Sequence, residues 1–362
     1  MLSYIFRRIL LMFPTLLGVT ALVFFVMAAS PGGIGGALLD SNGNLASADA
    51  ERVREYYNKR YGIDKPVLVQ YARWLNDLSP MGYERNADYS LGKFTFCKWP
   101  SLGESMEQHR PVADLIAESL PLTLLLNLVS IPIIYFVGII TGIKAAQKRG
   151  GAFDKVSGGF QLALWSVPSM WAGVMLIGLL ADRDYVHWFP SSGLHETEAG
   201  SMAFVPHFVG GGVGGGFQRG WLLDTLWHLV LPVVCLSYGS SAFLTKLTRG
   251  SILENLSEDY VRTAKAKGLA PKVILYRHVL RNSTLGLITV AASILPALLG
   301  GSIIIESIFS IPGMGRLGVE SVQSRDREVV LAIALIGGFV NLTSQLLRDI
   351  LYAIADPRVT YG

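Results

Sequence analysis

Residues 257–282 read SEDYVRTAKAKGLAPKVILYRHVLRN, a polar and basic stretch set between two apolar runs of membrane-spanning length. Ser257 is placed to N-cap a helix whose first turn carries Glu258 and Asp259 and whose last turn carries Lys265 and Lys267, charges that suit the macrodipole at each end. Gly268 ends that helix, and Pro271 fits the first position of a second one. The spacing predicts about ten residues of helix, a tight glycine turn and another short helix. Such a segment looks like a handle for another protein; its blander reading is a solvated loop that keeps Lys and Arg on the inner side of a membrane.

The chain around it is too apolar for an ordinary soluble protein. Of 362 residues, 51% are hydrophobic and 16% charged, and the mean hydropathy is +0.42. Six runs reach the roughly 20 residues that cross a hydrocarbon core: Ile9 to Ala29, Leu120 to Ile143, Val156 to Ala181, Leu226 to Leu244, Leu285 to Ile308 and Val329 to Leu347. An all-α polytopic membrane protein follows. Asn341, Thr343, Ser344 and Gln345 make the last run polar at its inner end, which suits a helix packed on protein.

Orientation comes from the basic residues near the span ends. Arg7 and Arg8 precede the first run, Lys144, Lys148, Arg149 and Lys155 join the second to the third, and Lys246 to Arg281 joins the fourth to the fifth. Both termini are expected in the cytoplasm. The net charge of +4 reflects this topology and gives no reason to invoke nucleic acid. Met27-Ala-Ala-Ser30 resembles a signal cleavage site, but the run before it exceeds a signal core, and its removal would leave an odd number of spans. Cys97 and Cys235, in an outer segment and a span, imply no disulfide framework.

Tyr260-Val-Arg-Thr-Ala-Lys-Ala-Lys-Gly268, followed by Arg277-His-Val-Leu-Arg-Asn282, resembles the cytoplasmic EAA loop of ABC importer permeases in the oligopeptide, dipeptide and nickel branch. The general pattern is Glu-Ala-Ala, three residues, Gly, nine residues and Ile-x-Leu-Pro; Ala264, Gly268 and Leu280 match it, and the departures are those associated with the peptide branch. Tyr61 to Leu75, Arg110 to Pro121, Glu306 to Gly318 and Asp349 to Arg358 are similar to further stretches of the same family, so the resemblance covers the chain except for loops around 42–49 and 81–100.

The resemblance implies a type I ABC importer permease fold with six transmembrane helices. Its parts are an N-terminal helix over 1–29, a partly helical extracytoplasmic segment over 30–118, a five-helix transmembrane domain over 119–349 with its coupling loop at 245–282, and a cytoplasmic tail over 350–362. It implies a bacterial or archaeal cytoplasmic (inner) membrane and the role of a path for peptides, with nickel or another small solute as the alternative substrate. Implied partners are two ABC ATPase subunits, which use the ATP, a second homologous permease and an extracytoplasmic substrate-binding protein. No catalytic residue, metal or directly bound cofactor is expected. Tyr260, Arg262, Ala264, Lys265, Lys267 and Gly268 are the coupling residues, with Ala264 and Gly268 small enough for close approach to a partner groove.

Other motifs carry less. Gly313-Met-Gly-Arg-Leu-Gly318 satisfies G-x-G-x-x-G without the βαβ context of a dinucleotide site, and the glycines of 210–216 lack the Gly-Lys-Ser/Thr ending of a phosphate loop. His195 with Glu196 and Glu198 is the least implausible metal cluster, and it equally fits a solvated loop. Gly138-x-x-x-Gly142 and the prolines within the spans fit helix packing better than a substrate path. Glu306, an acid in an apolar run, reads either as part of an outer gate or as a hydrogen-bond anchor for the turn over 307–316. A secondary transporter working alone would need intramembrane ionisable residues and inverted repeats, and the chain offers neither convincingly.

Overall fold

A computed structural model describes residues 2–30, 55, 56, 58–86, 90–182, 184–209, 216–283, 287, 290 and 303–355. They are mostly helical and divide into two compact units, one from residues 2–120 and 317–343 and one from 121–316 and 344–355. Among the described residues, four helices are long and apolar enough to cross a membrane, and a fifth candidate is a bent pair. Most of the run from Leu285 to Ile308 lies outside the described residues, as do 31–54 and the tail from 356.

The first unit begins with α1, Leu2–Ala29, and α2, Val67–Leu78, with residues 58–61 also helical. Gln70 and Trp74, four apart, bury the inner face of α2, where Trp74 joins Phe24, Tyr61, Met106 and Leu331 in one core. The Tyr71 hydroxyl donates to the Leu17 carbonyl at 3.0 Å, which satisfies a polar group beside apolar α1. A short antiparallel hairpin, β1 (Gly82–Arg85) with β2 (Leu91–Thr95), follows. It lies in the outer segment expected to be only partly helical, and its two strands are too short to read from sequence. The long helix α11, Arg327–Ala355, begins in this unit; there Arg327 is buried against Glu328 and Gln70 and lies over the rings of Phe24 and Tyr61.

Three of the helices that build the second unit are α3 (Val112–Gln147), α4 (Ala152–Ser166) and α5 (Ser169–Leu176), the last extended by a wider turn over Ile177–Ala181. The hairpin β3 (His207–Val209) with β4 (Gly216–Gln218) leads to α6, Gly220–Leu256. The predicted span from Val156 to Ala181 is not one rod: α4 and α5 meet at 90°. Pro168 has no N–H and pushes Val167 out of helical backbone, and the Tyr238 hydroxyl donates to the Val167 carbonyl at 2.5 Å.

The packing reading of Gly138 and Gly142 holds. A Cβ on Gly138 would stand 2.8 Å from Leu244, and one on Gly142 would stand 2.6 Å from Thr248 and 2.9 Å from the Thr245 carbonyl. The absence of side chains brings α3 directly onto α6. Nearby, Arg249 grips Asp154 through two bonds of 2.6 and 2.8 Å, and the Gly150 N–H donates to the same carboxylate.

Candidate coupling surface

At 36 and 37 residues, α3 and α6 are each about 55 Å long at the usual rise, well beyond the roughly 30 Å of a hydrocarbon core. Their ends are therefore free to carry structure outside the membrane. The stretch that follows α6 forms α7, Asp259–Ala266, and α8, Pro271–Val273, which continues as wider helical turns over Ile274–Val279.

Ser257 does not open α7. Helix α6 runs to Leu256, twelve residues past the predicted end at Leu244, so Ser257 is its C-cap and its hydroxyl donates back to the Glu254 carbonyl at 2.7 Å. Glu258 is the N-cap of α7 and makes no side-chain capping bond. The other end is as read: Gly268 has φ +75°, its N–H donates to the Lys265 carbonyl, and the Leu269 N–H donates to the Ala264 carbonyl. Those paired bonds make a Schellman turn, which needs a residue tolerant of positive φ. Lys267 is the C-cap, not a last-turn residue.

One face of α7 is bound to its own chain. Val261 and Ala264 sit in a buried cluster with Ile143 and Ala146 of α3, Ile252 of α6, and Ile274, Leu275 and Val279 beyond Gly268. Tyr260 packs against that cluster and donates its hydroxyl to Asn255 at 3.0 Å. Ser283 returns to α6 through Ser251. Ala264 is thus small because its own core is close. The helical turn-and-return packs as one block on the ends of α3 and α6.

The opposite face is open. Arg262, Lys265, Lys267 and Gly268 are exposed, and no atom lies within 4 Å of a Cβ built on Gly268. Arg262 pairs with Asp259 at 3.1 Å, but both side chains are largely in solvent, where such a pair adds little. Leu269, Val273 and Tyr276 are also exposed, on the same stretch. Sequence reasoning missed these three; their spacing of four and three residues was the available signal. The block therefore shows basic groups with an apolar stripe among them, a composition suited to a protein partner.

Glu306 lies in α9, Ile303–Ile308, and is fully buried. Thr123 donates to one of its oxygens at 3.0 Å, and the Arg316 N–H donates to the other at 3.0 Å. The Met314 N–H closes the ring by donating to Thr123 at 2.8 Å. Here α10, Met314–Gln323, begins. Side chains at Gly313 and Gly315 would intrude on this ring, a Cβ at the former lying 2.6 Å from the Glu306 carboxylate. The first two glycines of the dinucleotide-like motif thus make room for a buried carboxylate, and hydrogen bonds to Thr123 and the turn account for both oxygens.

His195 is brought to groups other than Glu196 and Glu198. Its Nδ1 stands 3.1 Å from the Thr225 hydroxyl and 3.8 Å from Asp224, and its ring lies on Trp221. No group of three or more His, Cys, Asp or Glu is arranged to hold a metal among the described residues.

Long apolar helices, a glycine-packed pair among them and a block docked on their ends define a multi-pass helical membrane protein. The chain belongs to the family described as binding-protein-dependent transport system inner membrane component, whose model matches residues 135–361, while the N-terminal model of the same system matches 1–127. It is similar to the oligopeptide transport system permease protein AppB of Bacillus subtilis (strain 168), at 33% identity over the whole of both chains. A putative peptide transport system permease protein of Brucella abortus (strain 2308) is 35% identical over the whole of both chains. The peptidoglycan transport system permease protein YejB of Agrobacterium fabrum is 31% identical over 99% of this chain and 98% of its own. The chain is a permease subunit of an ABC importer, an inner-membrane transport component.

Proposed function

We propose that this permease forms, with a second homologous permease, the membrane path for peptides delivered by an extracytoplasmic substrate-binding protein. Two ABC ATPase subunits supply the energy. The observation that carries the reading is the α7–α8 block: basic and apolar on its open face, and buried on the other against the ends of α3 and α6. An ATPase that grips Arg262, Lys265, Lys267 and the Leu269–Val273–Tyr276 stripe moves those helix ends as one body, which opens the path alternately to each side. Tyr260 and Ala264 act from beneath by holding the block to its helices. Both termini and this block lie in the cytoplasm, six spans cross the membrane, and the segment over 30–118 faces the substrate-binding protein. Peptides are favoured over nickel by the names of the relatives. In this scheme Glu306 serves the outer gate as a fixed anchor for the turn after α9.

The test is purification of the tagged chain from gently solubilised native membranes, with mass spectrometry of what accompanies it and peptide uptake by the reconstituted assembly. Walker-motif ATPases and a second permease are expected, with the ATPase that grips this block lost when Arg262, Lys265 and Lys267 are replaced together by Glu. A chain that purifies alone and still moves peptide in liposomes would overturn the reading.

A further inference from the structure

The pocket beside the start of α6 carries a feature that neither coupling nor packing explains. It is a cavity of about 440 Å³ lined by Glu196, Glu198, Ser201, Gln218, Arg219 and Asp224, among others. Asp224 is 1% exposed, and its two oxygens are treated differently. One accepts the Glu196 N–H at 3.0 Å; the other, Oδ1, has no hydrogen-bond partner among the described residues. Buried carboxylate oxygens left this way are costly and call for an explanation.

The neighbours do not supply one. His228 places Nδ1 3.4 Å from Oδ1, but that nitrogen is committed to the Asp224 carbonyl at 2.9 Å. His195 is engaged with Thr225, and burial lowers its pKa against the pull of Asp224, which disfavours its charged form. Arg219 lies over the Trp227 ring. The first N–H groups of α6 are also used, with Trp221 donating to the Ala203 carbonyl at 2.8 Å and Leu222 to the Phe204 carbonyl at 3.0 Å. This end of the helix therefore offers carboxylates to the cavity.

Two further points define what enters. Gly220 has φ +67°, and a Cβ there would lie 2.6 Å from the Val205 backbone, so the wall is built by close approach of loop to helix. Glu196 and Glu198 are exposed while Asp224 is buried, so carboxylates stand both at the open side of the cavity and within its wall. The volume suits a ligand of a few residues better than a lone ion.

We propose that this pocket receives the amino-terminal ammonium of a peptide, with Asp224 as its counter-charge and Ser201 and Gln218 near the adjoining backbone. That the ligand is a peptide rests on the importer reading; the preference for a cation does not. The test is chemical and needs no transport. In full-length chain in nanodiscs, with exposed Cys97 replaced by Ser, a Ser201→Cys thiol is labelled by a cationic and an anionic methanethiosulfonate. The cationic reagent is expected to react at least ~10-fold faster, and Asp224→Asn to cut that preference several-fold. Should Asp224→Asn fail to fold, Glu196→Gln with Glu198→Gln at the exposed rim is expected to lower the same ratio. Tri-alanine is expected to protect the thiol and N-acetyl-tri-alanine to leave it reactive. Equal rates for the two reagents, or equal protection by the two peptides, overturns the proposal. Protection by a lysine-bearing substrate-binding protein and not by tri-alanine also overturns it, assigning the pocket to that partner. If tri-alanine protects while no ATPase accompanies the chain on purification, the pocket stands and the importer reading falls.

Discussion

Gly268 is the residue at which two explanations of the coupling loop separate. Its φ of +75° and the empty space around its missing Cβ mean that the fold needs glycine for conformation, not for room within this chain. An L-residue held there costs roughly 1–2 kcal/mol, and Asn bears left-handed backbone better than most. Gly268→Asn is therefore expected to keep most uptake and Gly268→Val to lose it at equal expression. If Asn is as damaging as Val, close approach to a partner groove is what glycine provides. Glu306 makes the complementary case, an acidic side chain enclosed by its own chain. Glu306→Gln turns an amide donor toward the Thr123 hydroxyl or the Arg316 N–H, leaving a buried donor unpaired at a cost of about 1–3 kcal/mol. A fall of several degrees in the thermal unfolding of purified protein is expected. An unchanged unfolding temperature with altered uptake would point instead to a role in the path.

Between helices, the close pair is α3 and α6. Gly142→Leu must displace Thr248 or the Thr245 carbonyl, an overpacking of about 1–3 kcal/mol. Gly158→Leu, on α4 where nothing lies within 4 Å of the added carbon, is the control expected to leave unfolding unchanged. Equal effects of the two changes would remove the packing account. The same scale shows what a sequence can disclose. Length and apolarity are local properties, so α1, α3, α6 and α11 fall on four predicted spans, and the Gly268–Pro271 turn is legible because φ and a missing N–H belong to single residues. What escaped depends on distant partners. At the 90° bend by Pro168 the freed Val167 carbonyl is met by Tyr238 from a distant helix, Ser257 caps the helix before it because α6 continues past its apolar run, and His195 finds Thr225 some thirty positions away. The inward turn of Ala264 was hidden for the same reason, since a small residue reads alike whether it faces a partner or its own core.

For the molecule as a whole, the open issue is which side of the membrane each surface faces, because the coupling block and the carboxylate pocket have their proposed roles only on opposite sides. On the orientation expected from the basic residues, 246–281 face the cytoplasm and the segment containing Cys97 lies outside. The two native thiols make this measurable: Cys97 is exposed and Cys235 is buried. A membrane-impermeant maleimide applied to intact spheroplasts is expected to label Cys97 and spare Cys235. With Cys97 replaced by Ser, a thiol at Lys267, exposed at the end of α7, is expected to react only after permeabilisation, and Ser201→Cys to react at once. Labelling of Lys267→Cys in intact spheroplasts would place the basic block outside, where no ATP is available to an ATPase, and would sink the coupling assignment whatever the sequence similarity. Labelling of Ser201→Cys only after permeabilisation would leave the block in place and put the pocket where arriving peptide does not reach it. The two thiols thus test the two halves of the mechanism separately, through the one property, sidedness, on which both depend.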